Sequence, residues 1–84
     1  MTIEFVVFGG LWFDKRNGNT YFVSKILDLQ TGITYYTEYQ YGYGKQYYFS
    51  AKAYLQERFG YKEFLLWDMG SAHFKKTDLK YHNF

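Results

Sequence analysis

The residues able to do chemistry are few and scattered. His73 and His82 lie near the carboxyl end, with Asp78 four positions before His82. On a helix that spacing would bring the pair to one face, where they could ligate a metal. Nothing in the residues around them reads as helix, so a solvated tail is the expectation. Ser24, Ser50 and Ser71 lack the Gly-x-Ser-x-Gly setting that exposes a nucleophile at a strand-to-helix turn. Acid–base work by two carboxylates needs a close pair in unequal environments, and the eight acidic residues are scattered singly. Gly42-Tyr43-Gly44-Lys45 precedes a helical pattern and is the nearest approach to a phosphate cradle. It lacks the length and Lys-Ser/Thr ending of a P-loop and the third glycine of a dinucleotide fingerprint. A turn needing two permissive residues accounts for it equally well. The expectation is a chain that acts without catalysis, metal or cofactor.

Aromatic side chains are the unusual feature. Tyr35, Tyr36, Tyr39, Tyr41, Tyr43, Tyr47, Tyr48, Phe49 and Tyr54 fall within one short tract. A sheet covered by one helix cannot bury both faces, so some of these rings are expected at the surface. Exposed rings can anchor a protein interface, meet their counterparts across a homodimer, or stack on unpaired bases. Cross-strand pairing on a half-wet sheet would also explain part of the tract. The expected surface joins the first loop to the tyrosine turn. Trp12, Tyr41, Tyr43 and Tyr47 would be its anchors, and Lys15, Arg16, Lys45, Lys75 and Lys76 its charged rim. A nucleic-acid groove needs a basic footprint. Lys15, Arg16, Lys45, Lys75, Lys76 and Lys80 would rim the tyrosine turn if they converge, but Asp14, Glu38 and Asp78 are interspersed and the net charge is only +2. A protein target is therefore the first reading and nucleic acid the alternative.

Local patterns predict the elements that position these residues. Ile3–Phe8 reads as a strand broken by Gly9-Gly10, and Asp14–Asn19 as a polar loop with Asn17-Gly18 suited to positive φ. Tyr21–Leu29 and Ile33–Tyr41 alternate around Gln30-Thr31-Gly32, which predicts an antiparallel hairpin. In that reading Tyr35, Tyr39 and Tyr41 share one face and Tyr36 takes the other. Lys45–Phe59 carries a helical stripe of Tyr48, Ala51, Leu55 and Phe59, stopped by Gly60. Glu63–Met69 returns to strand with apolar residues on both faces. Ser71–Phe84 is read as an edge strand pair or a partly ordered end. The sum is an α+β fold: an antiparallel sheet of three to four strands, ordered β-β-β-α-β, with one helix packed on one face.

Composition sets the limits. The 84 residues make one domain, which must be densely packed at this size, and 26% of them are aromatic. There is no cysteine, hence no disulfide framework and no thiolate zinc site. No run approaches the roughly 20 apolar residues of a membrane span. Met1-Thr2-Ile3-Glu4 lacks the basic start of a secretory signal, and no membrane partner is expected. The apolar strand over Phe64–Met69, with rings on two sheet faces, predicts a homodimer.

Trp12-Phe13-Asp14-Lys15 followed by Asn17-Gly18-Asn19-Thr20-Tyr21 resembles segments of a group of small phage-encoded proteins of uncharacterised function. Tyr41-Gly42-Tyr43-Gly44 with Gln46-Tyr47, and Lys75-Lys76-x-Asp78-Leu79, are similar to the same group in the same order. The resemblance implies a viral accessory protein acting in the host cytoplasm by binding a host or defence protein, or nucleic acid. It carries no functional residues to transfer.

Overall fold

The computed structural model describes residues 3–60 and 63–84; Met1 and Thr2, read above with the amino-terminal segment, lie outside them. The chain runs β1 (Ile3–Asp14), β2 (Asn19–Asp28), β3 (Thr34–Tyr36), β4 (Gln40–Tyr41), α1 (Gln46–Phe59), β5 (Phe64–His73) and α2 (Lys76–Lys80). The fold is α+β, with one main helix packed on a sheet ordered β3-β2-β1-β5, in which β4 also pairs with β2.

The sheet is mixed, where an antiparallel one was expected. β1 pairs antiparallel with β2 but parallel with β5. The cause is the α1 crossover. It carries the chain from one side of the hairpin over the sheet to the free side of β1, and such a connection returns a strand in the same direction.

β1 is also twice the expected length, because Gly9 and Gly10 continue the strand. Both are buried, and each is a socket on a different face. A methyl built on Gly9 would lie 2.5 Å from Cγ of Tyr47, and one on Gly10 would lie 2.6 Å from a Leu79 methyl. The glycines let a ring from α1 and a side chain from α2 touch the backbone of the same strand. β1 and β2 then form a long hairpin across the Asp14–Asn19 turn, where Gly18 has φ +69° and its N–H donates to the Asp14 carbonyl at 2.7 Å.

The core lies under α1. Phe5, Val7, Phe22 and Ile26 of the sheet meet Tyr47, Ala51 and Leu55 of the helix, with Phe59 and Phe64 packed on Phe5. The buried stripe therefore begins at Tyr47 rather than at Tyr48, because the Gly9 socket draws the Tyr47 ring inward. Gly60, at φ +77°, ends the helix as expected.

Two further expectations are corrected. The strand read over Ile33–Tyr41 is interrupted. Lys25 opposes Tyr36 and Phe22 opposes Gln40, so three steps along β2 match four along its partner. That extra residue reverses the facing of everything after it. Tyr35 packs under α1 against Tyr54 and Phe59, whereas Tyr39 and Tyr41 meet Tyr21 on the opposite, open face. Thr37 holds the irregularity: its N–H donates to the Ser24 carbonyl and its hydroxyl accepts from the Ser24 N–H, both at 2.9 Å. The carboxyl-terminal segment, secondly, is ordered and covers part of the open face. Leu79 is wholly buried, Phe84 packs on Phe8 and Phe74, and His82 stacks on Tyr36 with centroids 4.3 Å apart.

Candidate functional site

The aromatic side chains collect at the turn end of the β1–β2 hairpin, on the open face. Trp12 and Tyr21 are cross-strand partners with ring centroids 5.9 Å apart. Tyr21 opposes Tyr41 on its other side and meets it edge-on at 5.9 Å. Tyr39 lies parallel to Tyr21 at 5.2 Å. The rings of β1, β2 and β4 thus form one row across the sheet.

Cations close the row from above. The Lys76 Nζ sits 5.3 Å from the Trp12 ring centre, and the Lys80 Nζ sits 5.3 Å from that of Tyr39. Each is placed by α2, which the burial of Leu79 against Gly10 holds on this face. An ammonium over a ring gains roughly 0.5–1 kcal/mol when exposed and more when desolvated. Asp14, beside the turn, titrates below the ordinary carboxylate range. The Asn17 side-chain amide bonded to it is the chief cause, helped by the Asn17 and Arg16 N–H groups and by the charge of Lys76. Tyr39 is shifted the other way: burial raises its phenol, and Tyr21 and Asp14 add to the effect.

The structure divides the expected site residues into groups. Trp12, Tyr41 and Lys76 meet at this row, and Lys15 and Arg16 occupy the exposed turn beside it. Tyr43 is exposed two residues beyond Tyr41, in the loop that leads to α1. Lys75 is exposed at the start of α2. Lys45 lies on the helix side of the sheet, 3.7 Å from Asp68. Tyr47 is only 4% exposed; it is a core residue and does not belong to a surface.

No family model, curated protein or solved structure matches this chain.

Tyr39 and Lys80, named above in the aromatic tract and among the tail cations, join the row, and Tyr21 belongs to it without having been singled out from the sequence. The available signal was Asn17-Gly18. Read as a two-residue hairpin turn, it would have put Tyr21 on the face and strand next to Trp12 but directly opposite Asp14. The turn observed spans residues 15–18, and that register sets Tyr21 against Trp12. Tyr39 was beyond such a reading, since its facing depends on the extra residue before β4. Of the serines considered as nucleophiles, Ser24 donates its hydroxyl to the Tyr47 carbonyl at 2.6 Å, and Ser50 accepts from the Gln40 amide at 3.0 Å. Both are bonding groups between the sheet layer and α1. No helix among the described residues is long and apolar enough to cross a membrane.

Proposed function

We propose that this chain is a non-enzymatic binding protein of phage-accessory type. In this reading it acts in the host cytoplasm and engages a host or defence protein through the aromatic, cation-rimmed turn end of its sheet. The observation that carries the reading is the row of Trp12, Tyr21, Tyr39 and Tyr41, with Lys76 over Trp12 and Lys80 over Tyr39, open to solvent at Tyr41 and followed by Tyr43, which are 59% and 65% exposed. Tyrosines held by neighbouring rings lose little freedom on binding, which is what makes such residues effective anchors. Lys15, Arg16 and Lys75 lie close enough in the chain to supply a charged rim, where they would steer association more than hold it. The viral setting rests on the resemblance in the Trp12–Tyr21 and Tyr41–Tyr47 segments.

A protein target fits better than nucleic acid. A run of stacked bases needs several free ring faces, and here Trp12 has Lys76 and Tyr21 against it and Tyr39 lies between Tyr21 and Lys80, which leaves Tyr41 and Tyr43 as the open rings. The deciding experiment compares capture from host lysate by the wild-type chain and by the Tyr41→Ala/Tyr43→Ala double variant. A partner retained by the first and lost by the second supports the reading; equal capture overturns it. Oligonucleotide binding that weakens steeply with salt would instead favour the nucleic-acid alternative.

A further inference from the structure

We propose that two copies of this chain form a two-fold dimer by antiparallel pairing of the outer edge of β5, centred on Leu66. β5 stands at the end of the sheet order, with β1 on one side and no partner strand on the other among the described residues. Proteins that remain single chains usually protect such an edge with lysine, proline or a covering element. From Phe64 to His73 the strand has neither lysine nor proline. Its sole acidic residue, Asp68, is already engaged: it accepts from the Tyr47 hydroxyl and the Gly70 N–H, each at 2.8 Å, and lies beside Lys45. The one protective device is the bulge at Met69 and Gly70, where the register with β1 slips. It leaves Phe64–Asp68 straight and free, about 17 Å of strand.

Symmetry selects the register. Identical strands pairing antiparallel place the two-fold normal to the sheet, so opposed residues share a face and the axis passes beside one residue and its mate. An axis at Asp68 would set two carboxylates against each other, at a cost. An axis at Leu66 sets the Leu65 of each copy against the Trp67 of the other on the open face. These two side chains are 46% and 52% exposed in the single chain. On the helix face the same axis sets Leu66 against Leu66. Each copy there has a hollow of about 340 Å³ between α1 and β5, lined by Tyr48, Phe49, Leu66 and Asp68 and edged by Lys45. The two hollows would face each other over the axis and cover the exposed Phe49, which in the single chain meets, among the rings of the described residues, only that of Tyr48, edge-on. A second copy brings to the edge the same largely apolar strand, its one carboxylate already beside Lys45, which is the self-complementarity that a two-fold interface requires. Because the pairing is antiparallel, the two aromatic ends would point in opposite directions, and the dimer would be bivalent.

The full chain tests this by sedimentation equilibrium over micromolar to sub-millimolar concentrations. The expected mass is twice the 10.2 kDa of one chain; a mass of one chain throughout overturns the proposal. The absence of cysteine makes the register testable too. At the axis the Cα atoms of Leu66 and its mate would be about 4.5–5.5 Å apart, within disulfide range. Met69 would lie about 20 Å from its own mate. Leu66→Cys should therefore cross-link under mild oxidation and Met69→Cys should not. Cross-linking through Met69→Cys alone, or a dimer that neither position captures, overturns the assignment. Leu66 also touches the core, so the exposed pair gives an independent readout. Leu65→Lys/Trp67→Lys should keep the circular dichroism of the folded chain and weaken dimerisation by at least about tenfold. An unchanged dimer in that variant overturns the proposal as well. Loss of partner capture by Tyr41→Ala/Tyr43→Ala with the dimer intact would separate this inference from the function proposed above.

Discussion

The hydroxyl of Tyr47 donates to Oδ1 of Asp68 at 2.8 Å, tying the first turn of α1 to β5. The ring below that hydroxyl fills the space over Gly9, and the Tyr47 carbonyl accepts from Ser24. One residue thus joins three strands to the helix. Burial, aided by donation to Asp68, raises the Tyr47 phenol to about 12. The folded state keeps that proton more tightly than the unfolded chain does. The corresponding stability is complete below pH 10, the ordinary value, and is lost as pH rises toward about 12. Tyr47→Phe should cost about 1–2 kcal/mol in urea unfolding near neutrality. It should also remove the last phenol to titrate in an ultraviolet absorbance titration. A variant as stable as wild type would show that the bond contributes nothing net.

Gly9 and Gly10 give the sharpest packing prediction. Gly9→Ala would drive a methyl against the Tyr47 ring, and Gly10→Ala would drive one against Leu79 and Phe84. Overpacking of this kind costs typically 1–3 kcal/mol. Thermal melts should show both variants clearly destabilised. The near-ultraviolet circular dichroism should separate them, with Gly10→Ala releasing α2 and the Phe84 ring while α1 stays seated. At Gly18, in open space at φ +69°, alanine meets no neighbour. It should cost only the roughly 1–2 kcal/mol of a left-handed backbone.

The same glycines show which parts of the structure were legible in the sequence. The fold class, the helix and its Gly60 stop follow from local pattern, because amphipathic period and turn residues are properties of neighbours in the chain. Gly9-Gly10 read locally as a strand break. Its true role depends on Tyr47 and Leu79, residues 38 and 69 positions further on. The direction of β5 and the extra residue before β4 are likewise set by pairing between distant segments. The candidate surface shared that fate. Trp12, Tyr41, Lys76 and Lys80 were found by type, Tyr47 was misplaced by the socket, and the seating of the two lysines over rings depends on α2, whose pattern is too short to read.

Acid should weaken the fold through two carboxylates. Burial alone would raise Asp28, yet the N–H and side-chain amide of Gln30 and the groups of Thr31 outweigh it and hold the carboxyl below its ordinary value. Asp68 behaves likewise: burial opposes and the Gly70 N–H, Tyr47 and Lys45 prevail. A carboxyl lowered in the folded state contributes stability above the unfolded value, near 3.8, and loses it as pH falls further. Asp28→Asn should therefore be less stable than wild type at neutral pH, and the difference should shrink as both are titrated below that value. A constant difference across the acid range would assign its effect to packing alone.

Tyr39 offers a substitution expected to strengthen the fold. Its ring stacks on Tyr21 and lies under Lys80, but its buried hydroxyl has no hydrogen-bond partner among the described residues. A buried polar group left unpaired costs about 1–3 kcal/mol, and the raised phenol of Tyr39 reflects the same burial. Tyr39→Phe keeps the ring, its stacking and the cation above it while deleting the unpaired atom. It should raise the melting temperature, with a gain of about 1 kcal/mol, and leave partner capture unchanged, since Tyr41 and Tyr43 carry the exposed contact area. A loss of stability in that variant would mean the hydroxyl is bonded in solution. Tyr39→Ala, by contrast, removes the support beneath Tyr21 and Lys80, and should weaken both the fold and capture of the partner.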